Sequence, residues 1–466
     1  RSMPLKFTPH EHQRIGAEFI LDHPRCTLVA DPGMGKTGTA LMVVDLLKLV
    51  GSSFFPVLIL APRRVAEVVW TGERDRWSTF QDISMIQVLG DPKAREAALR
   101  EPVADVYICT YDLAPWLVEQ WTQERWPFKT VIADESSRLK SFRLHQGGKR
   151  TQALSNIAKV TGRWINLTGT PMPNGPIDLW GSQWFIDFGE ALKRSFTAYK
   201  EAYFIENQYS HKITLQHGAE AAIHEALKPT MLALRAEDWL DITQPQIIPV
   251  EFEMPPAARE QYRRMEKEFF VEVNDAAIEA GTAAIKSSKL LQMCAGSIID
   301  TETGDTHEVH NSRLEALDDV LEQIEPAPLL VSYWWKSDPP RILAHLARKK
   351  ILARLYGGKK DETDWNARKF RVMLLQEQSA FGLNLHEPCR DILHYSYTWS
   401  AELWQQMVER VGPARQVQAG KKAAVRVWYA IAKGTVDRDV IDSNFGKITV
   451  EQALKRTRAR SRNEKT

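Results

Sequence analysis

One stretch constrains this chain more than any other: Ala30-Asp31-Pro32-Gly33-Met34-Gly35-Lys36-Thr37, placed between the short apolar run 26–30 and a helical pattern. Glycines at a strand-to-helix turn let the backbone curl until successive N–H groups face one anion, and the helix adds its positive end. Such a loop suits a phosphate chain. Asp31, Gly33, Met34 and Gly35 would form the cradle, Lys36 would lie against the β- and γ-phosphates, and the Thr37 hydroxyl would ligate Mg²⁺. The first position of this pattern, ordinarily Gly, is Ala30 here. The expected ligands are ATP and Mg²⁺.

A second signal lies downstream, where Val131-Ile132-Ala133 runs straight into Asp134-Glu135. Two adjacent acids at the end of a buried strand are costly unless a cation sits there. Asp134 is placed to hold the metal, and Glu135 to orient and deprotonate an attacking water. The competing reading is an acidic helix cap.

The runs at 57–60, 106–109, 131–133 and 164–167 are short and apolar, and helix-starting or turn residues follow them. They suit strands covered on both faces, hence a parallel sheet. The same alternation resumes at 329–332, 370–375, 391–395 and 424–431. The expected fold class is α/β, with two RecA-like lobes, each a mainly parallel sheet flanked by helices. The expected divisions are lobe 1 over 3–190, helical insertions and a linker over 191–311, lobe 2 over 312–450, and a basic tail over 451–466. A length of 466 residues fits several domains.

Sixty-one basic against 59 acidic residues give a net charge of +2, so any nucleic-acid contact must come from a local basic surface. Residues 455–466 hold six basic side chains and one acidic; they read as a solvated helix end or as a phosphate-binding tail. Cys26, Cys109, Cys294 and Cys389 form no CxxC pair and read as reduced core thiols. No apolar run approaches 18 residues, so no membrane span is expected, and the start lacks a basic-then-apolar signal. The expected compartment is cytoplasmic.

Asp134-Glu135-Ser136-Ser137-Arg138-Leu139-Lys140, followed by Leu167-Thr168-Gly169-Thr170-Pro171, resembles the first lobe of superfamily 2 helicases, specifically the Snf2-type DNA translocases. The resemblance spans nearly the whole chain. It implies that Gln13 reads adenine, and that Thr168 and Thr170 couple the nucleotide to motion. It also implies that Arg63 and Arg64, in a segment with Trp70, Glu73 and Trp77, and then Thr110 and Tyr111, contact a DNA strand. Segments 234–238 and 289–294 resemble family segments between the lobes. In the second lobe, 378–385, with Gly382 and Asn384, resembles motif V, and 434–437 resembles the segment after motif VI. Gln406 through Arg410, with Arg415, resembles motif VI, whose arginines would complete the ATP site as catalytic groups.

Two departures stand out. Ser136-Ser137 replaces the usual Ala-His. The second motif VI arginine would fall on Pro413; Gly412-Pro413 reads as a helix stop that puts Arg415 in a loop, with Arg390 as its rival. Fifteen Trp residues read mainly as core packing, and otherwise as base stacking. The resulting expectation is a DNA-dependent ATPase that translocates along duplex DNA. The alternatives are a strand-separating or branch-migrating DNA or RNA helicase, and an ATP-gated DNA-binding scaffold with little turnover.

Overall fold

The computed structural model describes residues 5–445 except 102, 145–147, 173–174, 207–212, 242, 275–286, 301–302, 380–382, 384 and 422. The expected basic tail at 451–466, Gly382 and Asn384 therefore lie outside the described residues. The chain forms two compact units, Arg1–Leu240 and Asp241–Thr466.

In the first unit, strands β1 (Arg25–Ala30), β2 (Val57–Ala61), β3 (Met85–Gln87), β4 (Val106–Thr110), β5 (Thr130–Asp134) and β6 (Arg163–Thr168) enter one sheet; β7 (Phe204–Glu206) and β8 (Ile213–Leu215) form a separate antiparallel ribbon. β9 (Met231–Leu234) completes seven strands in the order β3-β4-β2-β5-β6-β1-β9, with every pairing parallel. β2, β4, β5 and β6 are buried along their whole length, which is why they read as unbroken apolar runs rather than alternating ones. Helices α1 (Glu11–Asp22) and α2 (Lys36–Val50) pack against each other beside the sheet.

Arginines close the amino ends of two strands. Arg163 donates to the Ile20 and Leu21 carbonyls, and Arg25 to those of Thr161 (2.8 Å) and Ile186 (3.0 Å). Those of Ile20, Leu21 and Ile186 are carbonyls that helix ends leave unpaired. The functional segments lie at the opposite, carboxyl ends of the strands.

The second unit carries β10 (Gln246–Phe252), the antiparallel ribbon β11 (Ser297–Ile299) and β12 (Thr306–Glu308), and then β13 (Leu329–Tyr333), β14 (Ala353–Leu355), β15 (Val372–Gln376), β16 (Asp391–His394) and β17 (Arg426–Ala432). Its parallel sheet runs β10-β17-β16-β13-β15-β14. Pro249 is tolerated because β10 is an edge strand.

The α/β expectation with two parallel sheets holds, but the divisions fall elsewhere. Segment 191–311 is not a region of its own: β9 belongs to the first sheet and β10 to the second. Helices do occur within it, at Pro256–Asn274 and Ser288–Ala295. β9 is only four residues long, and periodicity cannot assign so short an apolar run.

Inside the second unit, the guanidinium of Arg313 pairs with Asp437, both fully buried, and also donates to the Tyr395 carbonyl (2.6 Å). Asp437 additionally accepts from Ala432 N (2.9 Å), so the segment after β17 is fastened to a central cation. Asp437→Ala should lower stability by about 3–5 kcal/mol, because it strands a buried charge. A drop in the urea midpoint of the second unit would show it; an unchanged midpoint would mean that water reaches Arg313.

Candidate active site

The loop between β1 and α2 has the curled backbone that its glycines allow. Gly33 (φ 87°) and Gly35 (φ 75°) are left-handed. At Gly35 the positive φ favours glycine, and an added Cβ would also push aside the Gln13 amide. Lys36 Nζ donates to the Ala30 carbonyl (2.9 Å) across the loop, and Thr37 lies half-buried in the first turn of α2.

The loop is gripped from α1. Gln13 Nε2 donates to Gly35 O (3.3 Å), its Oε1 accepts from His10 N (2.9 Å), and His12 Nε2 donates to Met34 O (3.1 Å). Burial holds the His12 ring below its usual pKa, so it stays neutral. Gln13 thus has both ends of its amide engaged by the protein, a loop-holding role that the sequence did not suggest.

The carboxylate of one cradle residue is committed elsewhere. Asp31 turns away from the loop: its carboxylate accepts from Ala236 N (2.8 Å) and caps the short helix Ala236–Trp239. A carboxylate facing a phosphate chain would repel it, so the cap is the better use of that charge. The Met34 side chain is buried, which leaves only its backbone to the loop.

Asp134 ends β5, beside β6, which in turn pairs with β1. Its Oδ2 accepts from the indole of Trp70 (3.0 Å), and its Oδ1 from the N–H of Glu135 (3.1 Å). Burial, and then the neighbouring charge of Glu135, push the Asp134 carboxyl up to about 7, with Lys36 opposing. A buried acid next to a half-buried one, with Lys36 as the opposing positive charge, fits a cation site. Glu135 has φ 53°, a left-handed backbone rare outside glycine and a form of strain that clusters at functional sites.

Thr168 ends β6, and its hydroxyl accepts from Thr170 N (3.1 Å). The turn passes close to the phosphate loop, for a Cβ on Gly169 would come within 3.0 Å of Lys36 Nζ. Phosphate loop, acid pair and threonine turn therefore converge at the carboxyl ends of three neighbouring strands, where open parallel sheets bind their ligands.

Further along the same edge, β2 ends before Arg63 and Arg64. The Arg63 side chain is 85% exposed and pairs with Glu67 (2.9 Å); Arg64 is half-buried. Thr110 and Tyr111, expected to touch a DNA strand, are buried, and the Tyr111 hydroxyl donates to the Asp134 carbonyl (2.8 Å). They are corrected to internal supports, as is Trp70, which is fully buried. Buried Trp126 packs against Trp121 and Phe128 as part of the core rather than as a stacking platform.

In the second unit, Gln406 and Arg410 lie on helix Ala401–Val411, and Arg410 Nε donates to Gln406 O (3.0 Å). Arg415 is not in a loop. Gly412 (φ −6°, not left-handed) ends one helix, and Pro413 starts another, Pro413–Gln418, because proline suits a first helical position. Arg415 Nη1 donates to Leu383 O (2.9 Å), and Leu385 N to Arg410 O (3.3 Å), so both arginines brace the segment resembling motif V. Arg390 precedes β16 and so sits at the amino end of its strand, away from the carboxyl edge.

The model of the SNF2-related domain matches residues 10–299. Protein p41 of Acyrthosiphon pisum secondary endosymbiont phage 1 is 39% identical over 454 residues, covering 96% of this chain and 98% of p41. YwqA of Bacillus subtilis, named for an ATP-dependent helicase/translocase, is 24% identical over 94% of this chain; the chain spans 48% of YwqA's length. Among solved structures, the helicase domain of Pyrococcus furiosus Hef aligns over 94% of this chain and 98% of its own, with a TM-score of 0.53 and 13% identity, a likeness of fold.

Proposed function

The chain belongs to the SNF2-related domain family of superfamily 2 helicase-like ATPases, and from that premise we propose that it hydrolyses ATP to move along duplex DNA. The observation that carries this reading is the single sheet edge that holds both kinds of group. Around β1, β6 and β5 stand the phosphate loop, the threonine turn and the acid pair; one strand further, after β2, stand the arginines.

On this reading Lys36 and the loop N–H groups bind the phosphates, while Thr37 and Asp134 hold Mg²⁺, which supplies charge neutralisation when bound. Glu135 takes the proton of the attacking water. Arg63 and Arg64 grip DNA phosphates, a contact blind to sequence and sensitive to salt.

The test is ATP turnover measured side by side with no nucleic acid, single-stranded DNA, duplex DNA, forked DNA and RNA. Duplex DNA should stimulate most. Stimulation by RNA or single strands, with duplex inert, would overturn the translocase reading. Replacing Arg63 and Arg64 together should weaken DNA binding across all sequences and flatten its salt dependence by about one unit of slope per lost contact. An unchanged slope in the double variant removes them from the DNA path, leaving the Arg63–Glu67 pair as a surface ion pair.

A further inference from the structure

Between Arg64 and Trp70 the chain forms a π-helical turn, Val65–Val69. Such turns are rare and concentrate at functional sites, because the inserted residue re-aims whatever follows. Here the residue that follows is Trp70, whose indole reaches the Asp134 carboxylate at 3.0 Å. The turn is held open from outside: the amide of Gln87, on edge strand β3, donates to the carbonyls of Ala66 and Glu67, both at 2.8 Å. Glu67, the partner of Arg63, is itself a residue of the turn.

We propose that Trp70 is a positioning residue that transmits occupancy of the Arg63–Arg64 strand end to Asp134, through the π turn. The proposal rests on the duplex-DNA reading above. An anionic phosphate that takes Arg63 from Glu67 frees a side chain of the turn. Tightening the turn toward α geometry rotates Trp70 and withdraws its N–H from Asp134 Oδ2. Because Oδ1 is already tied to Glu135 N and the Asp134 carbonyl to Tyr111, the carboxylate has little other freedom, and its orientation follows the indole. Asp134 thereby registers DNA without touching it.

Coupling of this kind is an equilibrium quantity and is reciprocal, so it can be read without turnover. In the full chain blocked by Glu135→Gln, the affinity for a short duplex is measured by anisotropy with and without ATP and Mg²⁺. The ratio is the coupling factor, expected at about 5–150-fold in this parent. Trp70→Phe should bring it to within about two-fold of one. Gln87→Leu, which keeps the indole but removes both donors from the turn, should lower it in the same direction. Trp126→Phe, which removes a buried indole bonded to Thr161 instead, should leave it at the parental value.

A parental factor in both Trp70→Phe and Gln87→Leu overturns the link and leaves the translocase reading standing. A parent that binds no duplex overturns that reading, and the link with it. If Trp70→Phe does not fold, Gln87→Leu decides alone.

Discussion

Glu135→Gln should remove nearly all ATP turnover, about 10²–10⁴-fold, while ATP binding stays within about three-fold of the parent. The amide fills the space of the carboxylate but cannot accept the proton of the attacking water. The loop is held by Lys36 on the Ala30 carbonyl and by Gln13 on Gly35 O, contacts that the substitution leaves in place, so the cradle should persist. Asp134, proposed above to hold the metal, should gain rather than lose. The Glu135 charge helps push the Asp134 carboxyl up to about 7, so removing it lowers that pKa and leaves more carboxylate at neutral pH. Steady-state turnover, paired with titration of a fluorescent ATP analogue, checks both halves. A large loss of affinity with hydrolysis retained would show that Glu135 binds nucleotide and is not the base.

The parts of this site that the sequence revealed are those whose physics is local. A glycine that must take positive φ, an apolar run buried on both faces and an acid pair closing a strand each declare themselves within a few residues. Asp31 does not: its carboxylate caps Ala236, a partner 205 positions away, and so its neighbourhood suggested the wrong use. Trp70 and Tyr111 sit in segments that resemble DNA-contacting motifs, yet both point inward to one aspartate. Segment identity was legible, and side-chain direction was not, because direction is set by which strands become neighbours. The π turn that aims Trp70 has no signature in Val65-Ala66-Glu67-Val68-Val69, which reads as ordinary helix. Gly412-Pro413 carries the same ambiguity at a helix end: the pair that stops one helix begins the next.

That second helix bears on the other large effect expected. Arg415→Ala should cut turnover about 10³-fold or more with little change in ATP affinity, the signature of an arginine that stabilises charge only in the transition state. The electrostatics favour this role. Burial, and then the neighbouring Arg410, push the Arg415 guanidinium down to about 9, with Glu409 and Glu362 only partly compensating. Two neighbouring buried cations repel each other even beside Glu409, which lies 4.0 Å from Arg410, and an incoming anion relieves that repulsion. The helix fixes Arg415 more firmly than a loop would, since Nη1 is held on Leu383 O and Gln416 of the same turn donates to the Cys389 carbonyl (2.7 Å). Arg410→Ala should be at least as damaging, for it removes the buried guanidinium whose Nε donates to Gln406 O (3.0 Å) and which lies beside Arg415. Comparing kcat and nucleotide affinity in the two variants separates the roles. Turnover within a few-fold of the parent in Arg415→Ala, with Arg410→Ala inactive, would make Arg410 the sole finger. Arg415 would then be left as the residue that braces Leu383.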